Sequence, residues 1–288
     1  MTARGRAKAL QYGALAADIA PSIESCSLCA ACATVCPENI DLVEMTLQLR
    51  RVLARSSAVA DPPAATKTRL PPAPRPRVRV ALLPDRALHE HAASLARVAA
   101  LLGGGVATCH DAGADIALAL ESGATISNER LEQFLAPLGA REQIVVGDGL
   151  LLRHLHRWLP RVRIKSLGET LSSVASVRRG LRASDMYVIE ARAYHADYER
   201  LVKYYDGLRR ECGCSFNLDL QRIAIPAAAA GIGQMAGVAD DAGHARWILK
   251  GRNVARIVVE SLADRAAFER VSALPVVHLA DLAHDECA

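Results

Sequence analysis

The sequence predicts an α/β protein in two unequal parts, a small helical segment at the amino end and a larger duplicated unit of parallel strands covered by helices. Three observations carry this expectation. Short aliphatic runs such as Val80-Ala81-Leu82-Leu83, Ile144-Val145-Val146 and Ile257-Val258-Val259 alternate with stretches whose apolar residues recur at helical spacing. A proline-rich stretch divides the amino-terminal part from the rest. The strand–helix–strand pattern after that stretch then occurs twice. Of 288 residues 51% are hydrophobic, but only 2 Trp, 6 Tyr and 3 Phe are aromatic, so the core must be built mainly from Ala, Leu, Val and Ile.

Taken in order, residues 6 to 20 read as a helix, with a break from Pro21 to Glu24. Asp41 and Glu44 form a capping pair, followed by Leu42, Met45, Leu49 and Val52 at helical spacing. Asp61-Pro62-Pro63 and Pro71-Pro72-Ala73-Pro74-Arg75-Pro76 mark an extended, semi-rigid spacer. Beyond it come a strand at 78–83 and a helix carrying Leu88, Ala92, Leu95, Ala99 and Leu102, which stops at Gly103-Gly104-Gly105. A helix at 128–138, a buried strand at Ile144 to Val146 and a helix at 150–159 come next. Ile144-Val145-Val146, a helix and then Val162 to Glu169 are echoed by Ile257-Val258-Val259, a helix and then Val276 to Asp281. Val80 to Leu83 corresponds to Tyr187 to Glu190. The expected organisation is therefore residues 1–59, a spacer at 60–77, and two α/β halves at 78–182 and 183–288.

The chemistry concentrates in the first part. Of 8 cysteines, Cys26, Cys29, Cys32 and Cys36 lie in one run, C-x-x-C-x-x-C-x-x-x-C-P, closed by Pro37, while Cys109, Cys212, Cys214 and Cys287 lie far downstream. Two-residue gaps let thiolates wrap one face of an iron–sulfur cubane. Small residues between them (Ser27, Ala30, Ala31, Ala33) let backbone N–H groups approach the sulfides. A structural zinc site ordinarily separates two ligand pairs by a dozen or more residues, which this run does not do. The expectation is a ferredoxin-type domain holding one [4Fe–4S] cluster on Cys26, Cys29, Cys32 and Cys36. In two-cluster ferredoxins the Cys before Pro ligates the other cluster, so Cys36 either completes this cubane or faces a cluster on a partner.

The cysteine run, the spacer and the duplicated α/β unit together resemble the cysteine-rich-domain iron–sulfur subunits. That family includes the heterodisulfide reductase B/C subunits and the iron–sulfur subunit of anaerobic glycerol-3-phosphate dehydrogenase. The resemblance implies further cysteine signatures in each α/β half, and these are missing here. Leu83-Pro84-Asp85, His195-Ala196-Asp197, Ala228-Ala229-Ala230-Gly231 and Glu260-Ser261-Leu262 stand where cysteine-containing turns are expected. A second cluster site is accordingly lost, leaving one redox centre on a tether beside a large body. The resemblance implies an electron-transfer subunit, itself non-catalytic, relaying single electrons between a flavoprotein (electron-transferring flavoprotein or a flavin dehydrogenase) and a further acceptor, with another iron–sulfur subunit as a second kind of partner.

Other features are weighed against plain structural roles. Cys212-Gly213-Cys214 reads as buried thiols or a thiol–disulfide pair. Arg192-Ala193-Tyr194-His195-Ala196-Asp197-Tyr198, with Tyr204-Tyr205-Asp206, reads as half-buried tyrosines beside a helix-capping Asp197, or as a docking surface or small-molecule pocket. Arg153, His154, His156, Arg157, Arg161, Arg163 and Lys165, with Arg178, Arg179 and Arg182, read as a solvated face or a steering surface. Lys plus Arg number 35 against 31 Asp plus Glu, a net +4 that is weak for a nucleic-acid binder, so no nucleic-acid partner is expected. A cluster-bearing sensor that binds nucleic acid is the alternative from another class. No run approaches the roughly 18 apolar residues of a bilayer span. Arg4, Arg6 and Lys8 suggest a signal peptide, but Gln11, Gly13 and Asp18 interrupt the stretch after them, so the expected location is cytoplasmic, with membrane association only through a partner.

Overall fold

The structure, a computed structural model, describes residues 2–56, 79–227 and 241–287. The expected spacer at 60–77 and the Ala228-Ala229-Ala230-Gly231 turn lie outside the described residues. At the amino end, α1 (Ala3–Gln11) is followed by a 3-10 turn (Ala16–Ile19) and α2 (Ala20–Glu24). A single helix over 6–20 is thus not what forms. Gly13, at φ +90°, separates the two parts, and Pro21 sits in the first turn of α2 instead of breaking the chain. A first-turn proline gives up an N–H that has no helical partner anyway.

After α3 (Ala31–Thr34), α4 (Leu42–Ser56) starts where Asp41 accepts the Glu44 N–H at 3.0 Å. Its buried face is Val43, Thr46, Leu47 and Arg50, rotated from the expected Leu42, Met45, Leu49 and Val52; Val52 is 49% exposed. The rotation is possible because the polar members of the inner face are satisfied. Thr46 donates to the Leu42 carbonyl at 2.8 Å, and Arg50 donates only to carbonyls.

The remainder holds two parallel four-stranded sheets. The first contains β1 (Val80–Leu83), β2 (Val106–Thr108), β3 (Gln143–Val146) and β4 (Arg163–Ser166) in the order β2-β1-β3-β4. Its helices are α5 (Arg86–Glu90), α6 (Ala92–Leu102), α7 (Ala114–Ser122), α8 (Asn128–Gly139), α9 (Gly149–Trp158), α10 (Leu167–Ser172) and α11 (Ala175–Arg179). The second contains β5 (Asp185–Val188), β6 (Ser215–Phe216), β7 (Arg256–Val259) and β8 (Val276–His278) in the equivalent order β6-β5-β7-β8. Around it lie α12 (Ala191–Ala196), α13 (Tyr198–Cys212), α14 (Asp241–Leu249), α15 (Leu262–Glu269) and a 3-10 stretch (Leu279–Cys287). The α/β class and the duplication expected from the repeated pattern are present in this matching strand order.

Side chains alternate across each sheet and assign the layers. Leu82 and Val145 from the first sheet share one core with Tyr187 and Val258 from the second. On the opposite face of the first sheet, Leu83, Ile144 and Val146 pack with Leu28, Ala30, Val43 and Leu47 of the amino-terminal segment. The cysteine-bearing segment is therefore built into the body, which corrects the expectation of a centre held apart on a tether. Met186, Val188, Ile257 and Val259 face a third core that includes Phe268.

Candidate functional site

The cysteine loop has an unusual backbone. Leu28 and Ala30 are both left-handed, at φ +55° and +63°, a conformation that costs a side-chain-bearing residue about 1 kcal/mol or more. Both are buried, at 2% and 3% exposure, so packing against the first half holds the strained turn in place. Alternating right- and left-handed residues aim successive N–H groups into one concavity, a form used around phosphates and iron–sulfur centres. At Cys29, burial pushes the thiol up, while the Ser27 hydroxyl and the Ala31 N–H donate toward its sulfur and favour the thiolate. Burial, reinforced by Cys29 and Cys26 nearby, pushes Cys32 up to about 11. Cys26, Cys29 and Cys32 thus share one electrostatic neighbourhood, while Cys36 lies in a turn where the Asn39 N–H donates to its carbonyl at 3.1 Å. All four are free thiols and partly exposed.

Three arginines from three parts of the chain converge on this loop. Arg6 on α1 donates to the Ser22 carbonyl at 2.6 Å and toward Cys26 Sγ at 3.7 Å. Arg50 on α4 donates to the carbonyls of Ile23, Glu24 and Cys26, and across to the Glu121 carbonyl on α7 at 2.6 Å. Arg192 on α12 donates to the Ser27 carbonyl at 2.9 Å and pairs with the Glu121 carboxylate at 2.6 Å. His195, also on α12, donates from Nδ1 to the Cys29 carbonyl at 2.7 Å, and its Nε2 accepts the Ala224 N–H at 3.2 Å. Those roles require a neutral imidazole, and burial lowers its pKa to about 4. The second half therefore clamps the loop from one side while the first half packs beneath it.

The donor set suits an anionic iron–sulfur group. Thiolates deprotonate on metal binding and a cubane adds sulfides, so a cluster here would carry negative charge, which the guanidiniums of Arg6, Arg50 and Arg192 would offset. Arg6, 4% exposed, leaves Nε without a hydrogen-bond partner among the described residues. Among the described residues no three His, Cys, Asp or Glu side chains are placed to hold a metal ion. A cubane differs from a single ion in taking one thiolate at each of four irons.

The turns that lack cysteine in the α/β halves partly meet at the seam between the sheets. Asp85, after β1, accepts from the Ser261 hydroxyl at 3.1 Å. Glu260, after β7, accepts from the Tyr187 and Tyr205 hydroxyls at 2.7 and 2.6 Å and from the Glu190 N–H at 2.9 Å. Burial pushes Glu260 up to about 7 and Glu190 up to about 8. Carboxyl–tyrosine hydrogen bonds thus fill this part of the seam.

Several of the remaining candidates serve packing, while Arg161, Arg163 and Arg182 of the basic face are exposed. Arg153 pairs with Asp41 at 2.7 Å, and Arg157 pairs with the same carboxylate, so two members of the basic face tie α9 to the start of α4. Tyr194 is 1% exposed and donates to the Arg222 carbonyl at 2.8 Å. Cys212 ends α13, Gly213 is its left-handed cap at φ +71°, and Cys214 is buried with its thiol pushed up by burial to about 12. An open groove of about 880 Å³ on the second half, lined by Arg222, Trp247, Lys250 and Arg252 among others, has no cysteine in its wall. Sequence reasoning placed Arg192 in the Tyr194-His195 phrase without linking it to the cysteines, and it missed the roles of Arg6, Arg50 and Glu121, because isolated charged residues carry no pattern that separates a buried role from a solvated one.

No family model, curated protein or solved structure matches this chain. No helix among the described residues is long and apolar enough to cross a membrane.

Proposed function

We propose that this protein is an electron-transfer subunit holding one [4Fe–4S] cluster on Cys26, Cys29, Cys32 and Cys36, and that it exchanges single electrons with a flavoprotein or another iron–sulfur protein in the cytoplasm. The observation that carries the proposal is the cysteine loop itself. Two buried residues are held left-handed, a conformation found in backbone concavities that bind anions, and three arginines donate to the loop's carbonyls or toward Cys26 Sγ. When bound, the cluster supplies a one-electron couple. This chain's residues fix its position and surroundings: Leu28 and Ala30 wall it from the core, and His195 and Arg192 hold the loop carbonyls.

The competing readings have less support. A thiol–disulfide role for Cys212 and Cys214 calls for an accessible thiolate, whereas burial pushes both thiols up. A nucleic-acid role would draw on the basic face, where Arg161 and Arg163 are exposed but Arg153 and Arg157 are engaged by Asp41, and a net charge of +4 is weak for it. The testing experiment is anaerobic purification with iron and sulfide analysis and electron paramagnetic resonance after reduction. Zinc in place of iron would exclude the proposal.

A further inference from the structure

The three arginines at the cysteine loop do different work. Arg50 gives its hydrogen bonds to backbone carbonyls, and Arg192 divides its own between the Ser27 carbonyl and the Glu121 carboxylate. Both stitch the loop to the body. Arg6 alone turns a guanidinium N–H toward a cysteine sulfur, Cys26 Sγ at 3.7 Å, and its Nε has no hydrogen-bond partner among the described residues. It is 4% exposed, and its hydrogen bonds among the described residues go to the Ser22 carbonyl and toward Cys26 Sγ, not to a carboxylate. Its field also reaches Cys32, where it favours the thiolate. A buried cation without a carboxylate is costly, and the cost is offset by accepting carbonyls, here that of Ser22, and by negative charge close by. Here that charge is the sulfur set.

We infer that Arg6 is a positioning residue that sets the reduction potential of the centre held by the four cysteines. The inference rests on the proposed cluster and goes beyond it by assigning the electrostatic control to one side chain. Reduction adds one electron to an already anionic group. A fixed, poorly solvated cation beside Cys26 favours the reduced form and raises the potential, and the effect is large because little water screens it. Arg192 contributes less because the Glu121 carboxylate lies against it, and Arg50, whose charge also reaches Cys26, gives all its hydrogen bonds to carbonyls and aims none at a sulfur.

The test is a redox titration of the full chain, purified without oxygen, followed by electron paramagnetic resonance, with iron counted in each preparation. Arg6→Gln keeps an N–H donor for the Ser22 carbonyl but removes the charge, and Arg6→Lys keeps the charge but loses the fork. In R6Q with wild-type iron content, the reduction equilibrium is expected to shift about tenfold toward the oxidised form, which for a one-electron couple is a potential lower by about 59 mV. In R6K the shift is expected to stay under about threefold. Equal potentials in wild type and R6Q would overturn the assignment. If R6Q takes up no iron, R6K decides: an equilibrium near that of wild type upholds the charge role, and a tenfold shift, or loss of iron from R6K as well, assigns Arg6 a purely structural one. A wild-type chain that binds no iron would instead remove the cluster itself, a failure read from the iron count before any titration.

Discussion

Replacing Glu260 by Gln should flatten the pH dependence of stability. Glu260 is 3% exposed and accepts three hydrogen bonds, from Tyr187, Tyr205 and the Glu190 N–H, with no cation among those partners. Burial outweighs these bonds and lifts its pKa from 4.5 to about 7. A folded-state value above the unfolded one means that the native protein holds a proton the unfolded chain has released. Stability from this group is therefore fully present below about pH 4.5 and falls as pH rises through 7. At about 1.36 kcal/mol per unit, the shift is worth about 3 kcal/mol, most of it lost between pH 5 and 8. Urea unfolding of wild type and E260Q at pH 5, 6.5 and 8, at constant ionic strength, isolates the effect, because His154, His195 and Glu190, which also titrate in this range, are present in both. The wild type should lose about 2 to 3 kcal/mol more than E260Q between pH 5 and 8. Parallel pH profiles would show that Glu260 is not the titrating group and refute the reasoning.

The same geometry sets three further outcomes. Asp41, though partly buried, is held down to about 2 by the Glu44 N–H, Arg153 and Arg157, so it stabilises the protein above about pH 4 and the gain disappears as pH falls through 2; screening at this partly exposed site leaves about 1 kcal/mol, which D41N should lose in acid-unfolding curves at pH 6 and not at pH 2. A methyl group added in Gly149→Ala meets Glu190 Oε2 and the Ala193 backbone N at the seam between α9 and α12, so the melting temperature should drop by an amount corresponding to about 1 to 3 kcal/mol, and an unchanged value would show that the two helices separate easily. His195→Ala leaves the Cys29 carbonyl without its imidazole donor, costing about 1 to 3 kcal/mol, and amide exchange across residues 26–32 should quicken; unchanged exchange would show that α12 does not restrain the loop.

The core strands are legible in the sequence because their chemistry is uniform. Ile144-Val145-Val146 and Ile257-Val258-Val259 are buried on both faces, and an uninterrupted aliphatic run states that directly. The edge strands β2 and β6 are not legible, because Val106–Thr108 and Ser215–Phe216 are too short to show a period, and each takes its place by pairing with a central strand. The α4 register misleads for a different reason. Thr46 and Arg50 look solvent-facing in sequence, yet the helix's own backbone satisfies the one and carbonyls several elements away satisfy the other, and no local pattern records those distant carbonyls. The same limit hides the arginines around the loop. The cysteine spacing, in contrast, is visible at once, because the four cysteines are local in sequence. The contribution of the second half through Arg192 and His195 depends on contacts that span most of the chain.

Iron and acid-labile sulfide counted per chain in oxygen-free protein, alongside C29A and C32A variants, bear most directly on the cysteine centre. About four irons and four sulfides are expected in the wild type, with a reduced-state paramagnetic signal that both substitutions abolish. A colourless wild-type protein, one equivalent of zinc, or an iron signal that survives both substitutions would contradict it.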